Sequence, residues 1–173
     1  MVQGCLAGDR QAQRQLYEQY KRQMFGYCLR YAGSREEAED LLHEGFLKIF
    51  RDLHQYHGKG ALGAWMRQVM VHTAIDHLRR QQRQIATSDL EAAPEPGAED
   101  PLIRQFESHT QELIAILQRM PPGYRTILNL YVLEGYSHKE IAAQLNIQVS
   151  TSKTQLMRAR EVLRKHVEKS LKT

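Results

Sequence analysis

A proline-interrupted acidic stretch divides this sequence of 173 residues into two parts. The segment from Ala92 to Pro101 holds three prolines and a glycine, and it offers few large apolar side chains. Proline fixes one backbone angle and lacks an amide donor, so neither a helix nor a sheet is expected to continue through such a stretch. We therefore expect two small domains, residues 1–83 and 103–173, joined by a flexible acidic linker over residues 84–102.

The composition is that of a folded helical protein. Hydrophobic residues make up 42% of the chain and charged residues 25%, and the 11 glycines and 5 prolines are too few for a turn-rich sheet fold.

No apolar run approaches the roughly 20 residues that a membrane span needs, and we find no N-terminal signal segment. Cys5 and Cys28 form no CxxC pair. We expect a cytoplasmic protein with reduced thiols.

Helical periodicity predicts three helices in the first domain. They run from Asp9 to Tyr31, from Ser34 onward and from Leu62 to Arg83. Ser34, with Glu37 three residues later, has the pattern of a capping box. The second helix carries one apolar stripe at 3.6-residue spacing, formed by Ala38, Leu41, Leu42, Phe46, Ile49, Phe50 and Leu53. The whole chain is therefore expected to be all-α.

The second domain is predicted to be helical as well. A helix ends at Met120, the segment Pro121-Pro122-Gly123 is interpreted as a break, and a further helix follows from Tyr124 to Leu133. Two more helices are expected over residues 137–145 and 150–171.

These last two helices have the layout of a helix-turn-helix. Ser137 and Glu140 have the spacing of a capping box, Asn146 occupies the turn, Ile147 and Val149 close the corner, and Ser150 is expected to cap the second helix. The predicted inner face holds Ser152, Leu156, Ala159 and Leu163. The predicted outer face holds Thr151, Thr154, Gln155 and Arg158, with Lys153 beside them.

The outer face of that second helix has the chemistry of a DNA reader. Thr, Gln and Arg side chains can bond to base edges, while Lys and Arg can also neutralise phosphates. Residues 136–173 contain eight Lys or Arg and three Glu, whereas residues 87–112 contain seven acids and one base. A basic terminal block after an acidic stretch favours DNA binding over the alternative, a solvated amphipathic helix of a bundle.

Two other surfaces remain ambiguous on spacing alone. Asp40, Glu44, Leu47 and Arg51 form a second stripe on the second helix, which suits either a protein-docking face or an ordinary solvated face. The third helix carries Arg67, His72, Asp76, His77, Arg79, Arg80 and Arg83, after a loop with Tyr56, His57 and Lys59. These side chains suit either an unwound DNA strand or a basic helix end that complements the helix dipole.

The sequence gives little indication of a metal site or of enzymatic activity. The eight histidines include pairs such as His54 with His57 and His72 with His77, but none has the HExxH spacing of a zinc site. The sequence has no GxGxxG, Walker or GxSxG motif, and its acids and histidines show no catalytic order. We expect no metal, no cofactor, no small-molecule substrate and no enzymatic activity.

Motifs along nearly the whole chain resemble one family, the extracytoplasmic-function (ECF) sigma factors. Residues 39–50 (EDLLHEGFLKIF) look like its core-binding helix, and residues 56–65 and 69–80, ending IDHLRR, look like its region two. Residues 117–125 (LQRMPPGYR), 134–142 (EGYSHKEIA) and 150–160 (STSKTQLMRAR) look like its region four and recognition helix.

The resemblance implies a sigma factor that binds core RNA polymerase and promoter DNA, in a stress or envelope-signal response. The polymerase partner is implied to offer its beta-prime clamp and its beta flap, and contacts with the clamp are implied for Asp40, Glu44, Leu47, Lys48 and Arg51. Reading of the −10 element is implied for Tyr56, His57, Lys59, Arg67, His72, Asp76, Arg79 and Arg80. Reading of the −35 element is implied for Thr151, Lys153, Thr154, Gln155 and Arg158.

The sequence departs from the family pattern at three positions. His72 stands where Asn is common, Ser152 where many members have Val, and Gln155 where many have Arg. We expect changes in −10 preference, in packing and in the −35 contact, respectively. The competing interpretation is a stand-alone helix-turn-helix repressor that dimerises on a palindrome.

The resemblance also implies an anti-sigma partner, which would hold the protein inactive, and at the inner membrane face where that partner is membrane-linked. A weaker, salt-sensitive inhibition is conceivable within the chain, if the linker acids lie on the basic last helix. These acids are Glu91, Glu95, Glu99 and Asp100. We favour inhibition by a second protein, in which case neutralising the four acids should change promoter binding little.

Overall fold

A computed structural model describes residues 1–85 and 108–170. The described residues are helical throughout their regular elements and contain no strand, which confirms the all-α prediction. The helices are α1 (Val2–Leu6), α2 (Arg10–Tyr31), α3 (Arg35–Asp52), α4 (Leu62–Ile85), α5 (Ser108–Arg119), α6 (Pro122–Leu128), α7 (His138–Leu145) and α8 (Val149–Ser170). A 3₁₀ turn, Leu53–Gln55, follows α3, and a π-helical segment, Asn129–Leu133, continues α6. The short helix α1 was not predicted.

The first half of the chain is a bundle of α2, α3 and α4. The α3 stripe faces inward as predicted: Ala38, Leu41, Phe46, Ile49 and Leu53 are buried, and Leu42 and Phe50 pack at its edge. Gly45 lies directly against the side chain of Met70 on α4, and a methyl group there would collide with the Met70 sulfur. The small residue therefore sets how closely α3 and α4 approach.

The predicted capping box at the start of α3 forms only in part. The Ser34 Oγ atom accepts a hydrogen bond of 3.2 Å from the Glu37 amide, so Ser34 is the N-cap. The Glu37 carboxylate does not return to Ser34; it accepts from the Gly33 amide and from His77 on α4. These donors compete with the Ser34 amide for the half-buried Glu37 carboxylate, and the carboxylate binds the donors that lie nearest to it.

The predicted break at Pro121-Pro122-Gly123 is present but shorter, since only Met120 and Pro121 separate α5 from α6. Pro121 is the N-cap, and α6 begins at Pro122, so Gly123 lies in its first turn. Proline suits this position because the first helical amides have no partner within the helix. The predicted helix from Tyr124 to Leu133 is likewise two segments, since the chain widens to π geometry at Asn129.

The helix-turn-helix is confirmed, with one correction at its second helix. Ser137 and Glu140 form a complete capping box, and Asn146 ends α7 in the left-handed conformation with φ 54°. Helix α8 begins at Val149, so Ser150 is not its cap but lies inside its first turn. Val149 is exposed rather than closing the corner, and only Ile147 packs against the core there.

Helices α5 and α6 of the second half pack against the end of α2. The predicted linker from residue 86, its four acids and the start of the second domain at residue 103 lie outside the described residues, as do the Arg83 side chain and Leu171. None of the helices in the described ranges has the length and apolar character needed to cross a membrane.

Candidate nucleic-acid and polymerase interfaces

The outer face of α8 is only partly free. Lys153, Thr154 and Arg158 are exposed, whereas Thr151 and Gln155 are half-buried. Gln155 leans against the start of α6, where a methyl group added at Gly123 would come within 2.8 Å of its Oε1 atom. The Arg158 Nη1 atom donates a hydrogen bond of 3.2 Å to the Tyr124 hydroxyl. The first turn of α6 therefore supports two of the predicted −35 residues from the side.

A polar pair that the sequence patterns did not reveal joins the two helices of the helix-turn-helix. Ser152 is fully buried, and its Oγ atom lies 2.9 Å from the Nδ1 atom of His138 on α7. The imidazole also stacks on Tyr131, with ring centroids 4.5 Å apart. Burial, together with the charges of Lys153 and Arg160, lowers the His138 pKa. The buried Ser152 hydroxyl thus has a hydrogen-bond partner on the neighbouring helix.

The same side of α8 forms a basic cleft of about 360 Å³. Its lining includes three cations of α8, Lys153, Arg160 and Arg164, against one acid, Glu161; His138 and the exposed Met157 also line it. Such a concentration of positive charge on one helix suits the phosphate backbone of nucleic acid.

The second stripe of α3 divides into exposed and paired members. Asp40, Leu47 and Arg51 are exposed, and Leu47 is 58% exposed, the largest value among the large apolar side chains described. Glu44 and Lys48 are half-buried and lie 3.1 Å apart. Burial alone would raise the Glu44 pKa, but hydrogen bonds from Arg80 and Lys48 lower it.

These pairs connect the predicted polymerase and −10 residues. Lys48 lies 3.0 Å from Asp76, and Glu44 lies 2.6 Å from Arg80, both across the α3–α4 contact. Arg79 is 3.6 Å from Asp76. A cleft of about 370 Å³ has Lys48 and Arg51 on one side and Trp65, His72 and Asp76 on the other. The two predicted surfaces therefore adjoin, which spacing along the chain did not reveal.

The loop before α4 presents exposed His57 and Lys59. Gly58 and Gly60 have φ values of 73° and 80°, which a residue with a Cβ rarely adopts. The Tyr56 hydroxyl donates a hydrogen bond of 2.7 Å to the Gly60 carbonyl, and its ring centroid is 6.0 Å from that of Trp65. The loop is therefore held by its own tyrosine while its basic tip remains accessible.

Arg67 is placed differently from the other predicted −10 residues. Its Nη2 atom lies 2.6 Å from the Glu134 carboxylate and donates a hydrogen bond of 2.9 Å to the Leu133 carbonyl. Both partners belong to the other half of the chain. Arg67 lines a cleft of about 420 Å³ with these two residues, separate from the cleft that holds His72.

In the ranges 1–85 and 108–170, no group of three or more His, Cys, Asp or Glu side chains is arranged to hold a metal ion.

Comparison with known proteins places these surfaces in one family. A model described as Sigma-70 region 2 matches residues 16–84, and one described as Sigma-70, region 4 matches residues 110–163. The chain is 28% identical over 182 residues to the RNA polymerase sigma-H factor of Pseudomonas aeruginosa, covering 99% of this chain and 94% of that protein. It is 30% identical over 162 residues to the ECF RNA polymerase sigma factor SigE of Mycolicibacterium smegmatis, covering 90% and 61%.

The fold agrees with this relationship. The sigma factor RpoE, solved in complex with the anti-sigma factor NepR from Bartonella quintana, matches with a TM-score of 0.57 at 17% identity, over 90% of this chain and 96% of that one. At that identity the likeness concerns the fold alone. The two matched regions together span more than half of the chain, and the relatives by sequence are sigma factors. This protein therefore belongs to the sigma-70 family of RNA polymerase sigma factors, in its extracytoplasmic-function group.

Proposed function

We propose that this chain binds core RNA polymerase and directs it to specific promoters, in response to a stress or envelope signal. The observation that carries the proposal is the presence of two separate surfaces on one chain. One is the exposed Leu47 among charges on α3, and the other is the basic outer face of α8. A stand-alone helix-turn-helix protein has no need of the first surface. The chain acts by binding, without catalysis of its own.

The proposal assigns a role to each part of the chain. Residues 1–83 form region 2, residues 84–102 the linker and residues 103–173 region 4. Region 2 contacts the beta-prime clamp through Asp40, Glu44, Leu47, Lys48 and Arg51. It reads and holds the opened −10 element through Tyr56, His57, Lys59, Arg67, His72, Asp76, Arg79 and Arg80. Region 4 reads the −35 element through Thr151, Lys153, Thr154, Gln155 and Arg158, and contacts the beta flap.

Charge and exposure support these assignments. His57 and Lys59 are exposed on the loop that also holds Tyr56, whose ring lies 6.0 Å from that of Trp65, as contacts to an unstacked strand require. On α8, Lys153, Thr154 and Arg158 are exposed together, as base and phosphate contacts in the major groove require.

We further propose an anti-sigma partner that covers one of these surfaces, and a cytoplasmic location, including retention at the inner membrane face when that partner is membrane-linked. The support is the fold shared with a sigma factor that was solved with its anti-sigma factor. Isolation of the protein from uninduced cells with no partner other than polymerase would contradict this part of the proposal.

Run-off transcription with core polymerase and a pool of promoter fragments tests the main proposal. We expect transcripts from a subset of fragments that share −10 and −35 sequences, and none when the protein is omitted. A Leu47→Asp variant should lose these transcripts. A footprint on a symmetric operator in the absence of polymerase, with no run-off product, would instead indicate a repressor.

A further inference from the structure

The contact between α4 and the segment after α6 brings one predicted DNA-binding side chain against a carboxylate. Arg67 belongs to the set assigned to the −10 element, yet its guanidinium is paired with Glu134 at 2.6 Å. The Glu134 side chain is only 8% exposed and that of Arg67 is 34% exposed. The guanidinium is thus covered from one side by region 4.

Arg67 contacts acceptor oxygens and an aromatic ring, the same kinds of group that a nucleotide offers in its phosphate and base. Its Nη2 atom contacts a carboxylate oxygen and a main-chain carbonyl oxygen. Its planar group also lies over the ring of Tyr27, 5.4 Å from the centroid. Guanidinium groups bind phosphates with the same donors that they offer to carboxylates, and they stack on planar rings.

We propose that Glu134 acts as an intramolecular competitor of DNA: its carboxylate occupies the place at Arg67 where a promoter phosphate or base binds. The proposal rests on the assignment of Arg67 to the −10 element. Two further contacts hold the competitor in place, since Arg125 donates to the Tyr31 carbonyl and Asn129 to the Arg30 carbonyl. Separation of the two regions would break all of these contacts and leave Arg67 accessible.

The ion pair between Arg67 and Glu134 leaves one hydrogen-bonding atom of each side chain without a partner. The Arg67 Nε atom and the Glu134 Oε1 atom are both buried without a hydrogen-bond partner. The pair therefore uses one nitrogen and one carboxylate oxygen, whereas a guanidinium can form two parallel bonds to a phosphate. A ligand that satisfies the Nε atom as well can replace Glu134 without losing a hydrogen bond.

Binding of the full chain to a short random-sequence single-stranded DNA, measured by fluorescence anisotropy at low salt, tests the proposal. Glu134→Gln removes the charge and keeps the side-chain shape, and we expect affinity to rise about fivefold, at the low end of known coupling between sites. Glu112→Gln, which removes a charge at an exposed position of α5, is the matched control and should change affinity little. Glu134→Ala should behave as Glu134→Gln does.

The double variant Arg67→Ala/Glu134→Gln separates this inference from the site assignment. If both are correct, the gain in affinity from Glu134→Gln disappears when Arg67 is removed. If Glu134→Gln and Glu134→Ala both bind as the unmodified chain does, while Arg67→Ala lowers affinity in the Glu134→Gln background, the competitor role is wrong and the assignment stands. If Arg67→Ala has no effect in that background, the assignment of Arg67 to DNA is wrong, and the inference fails with it. Circular dichroism of each variant checks that the helices are retained.

Discussion

The Nε atom of Arg125 donates a hydrogen bond of 2.7 Å to the main-chain carbonyl of Tyr31, the last residue of α2. The two residues are 94 positions apart and belong to different regions of the sigma factor. The same guanidinium donates to the carbonyls of Leu117, Gln118 and Met120 at 3.3–3.4 Å. Burial lowers the Arg125 pKa, and the nearby charge of Glu37 opposes that shift. Arg125 is 2% exposed, so one buried cation joins the end of α2 to the turn between α5 and α6.

Removing this cation should destabilise the protein. Arg125→Ala removes a buried donor that contacts the Tyr31 carbonyl and three carbonyls at the end of α5, and we expect the free energy of unfolding to fall by about 2–4 kcal/mol. Urea denaturation of the full chain, followed by circular dichroism, measures the change. Arg119→Ala, at an exposed position on α5, is the control and should stay within about 0.5 kcal/mol of the unmodified protein. Equal, small effects of the two substitutions would show that the Arg125 contacts contribute little.

Leu47 provides the test of the polymerase surface. Because Leu47 is 58% exposed, Leu47→Asp should leave the unfolding midpoint nearly unchanged while it weakens association with core polymerase. Co-purification with core polymerase and thermal unfolding measure the two effects. Leu6→Asp adds the same charge at another exposed apolar position, 44% exposed on α1, and should retain polymerase binding. Unfolding of Leu47→Asp would mean that this face of α3 is assigned wrongly.

Arg158 and Tyr124 test the −35 surface. Arg158→Ala should weaken binding to a −35 duplex selected from the promoter pool by about 1–3 kcal/mol, if Arg158 contacts a base. Tyr124→Phe removes the hydrogen bond of 3.2 Å that holds Arg158, and should weaken binding less, since the guanidinium is still present. Arg119→Ala is again the control for loss of one positive charge. A Tyr124→Phe loss as large as that of Arg158→Ala would assign the main role to the tyrosine.

The lowered pKa of His138 predicts a pH dependence of stability. The folded protein lowers the His138 pKa below its ordinary value, mainly through burial, with Lys153 and Arg160 adding repulsion. The neutral imidazole is thus favoured by folding. This contribution is complete above the unfolded-state pKa of about 6.5 and is lost as the pH falls through the folded-state value.

Two variants separate the contribution of His138 to the pH dependence of stability from the contributions of the other histidines. His138→Gln should reduce the fall in unfolding free energy between about pH 7.5 and about pH 5.5, a range in which histidine titrates. Ser152→Ala keeps the imidazole and should keep the pH dependence, while lowering stability at both pH values. An unchanged pH dependence in His138→Gln would remove His138 as its source.

Local sequence signals were sufficient for much of the fold and for part of the site. The α3 stripe, the Ser137–Glu140 capping box and the left-handed Asn146 all depend on spacings of at most four positions between neighbouring residues of the pattern. The outer position of Leu47 and of Arg158 follows from the same helical period. Such signals need no knowledge of what packs against the helix, because backbone geometry alone places the side chains.

Contacts between distant residues decided the rest. Glu37 has the spacing of a capping-box partner, but Gly33 and His77 hold its carboxylate, and the polar partner of Ser152 is on another helix. Arg67 has the position of a DNA contact, but its partner Glu134 comes from the other region. A charged side chain has several possible partners of similar energy, and only the packing of the helices determines which one is near. The helical period and the caps of this protein are therefore properties of its sequence, whereas the pairing of its buried and half-buried charges is a property of its tertiary structure.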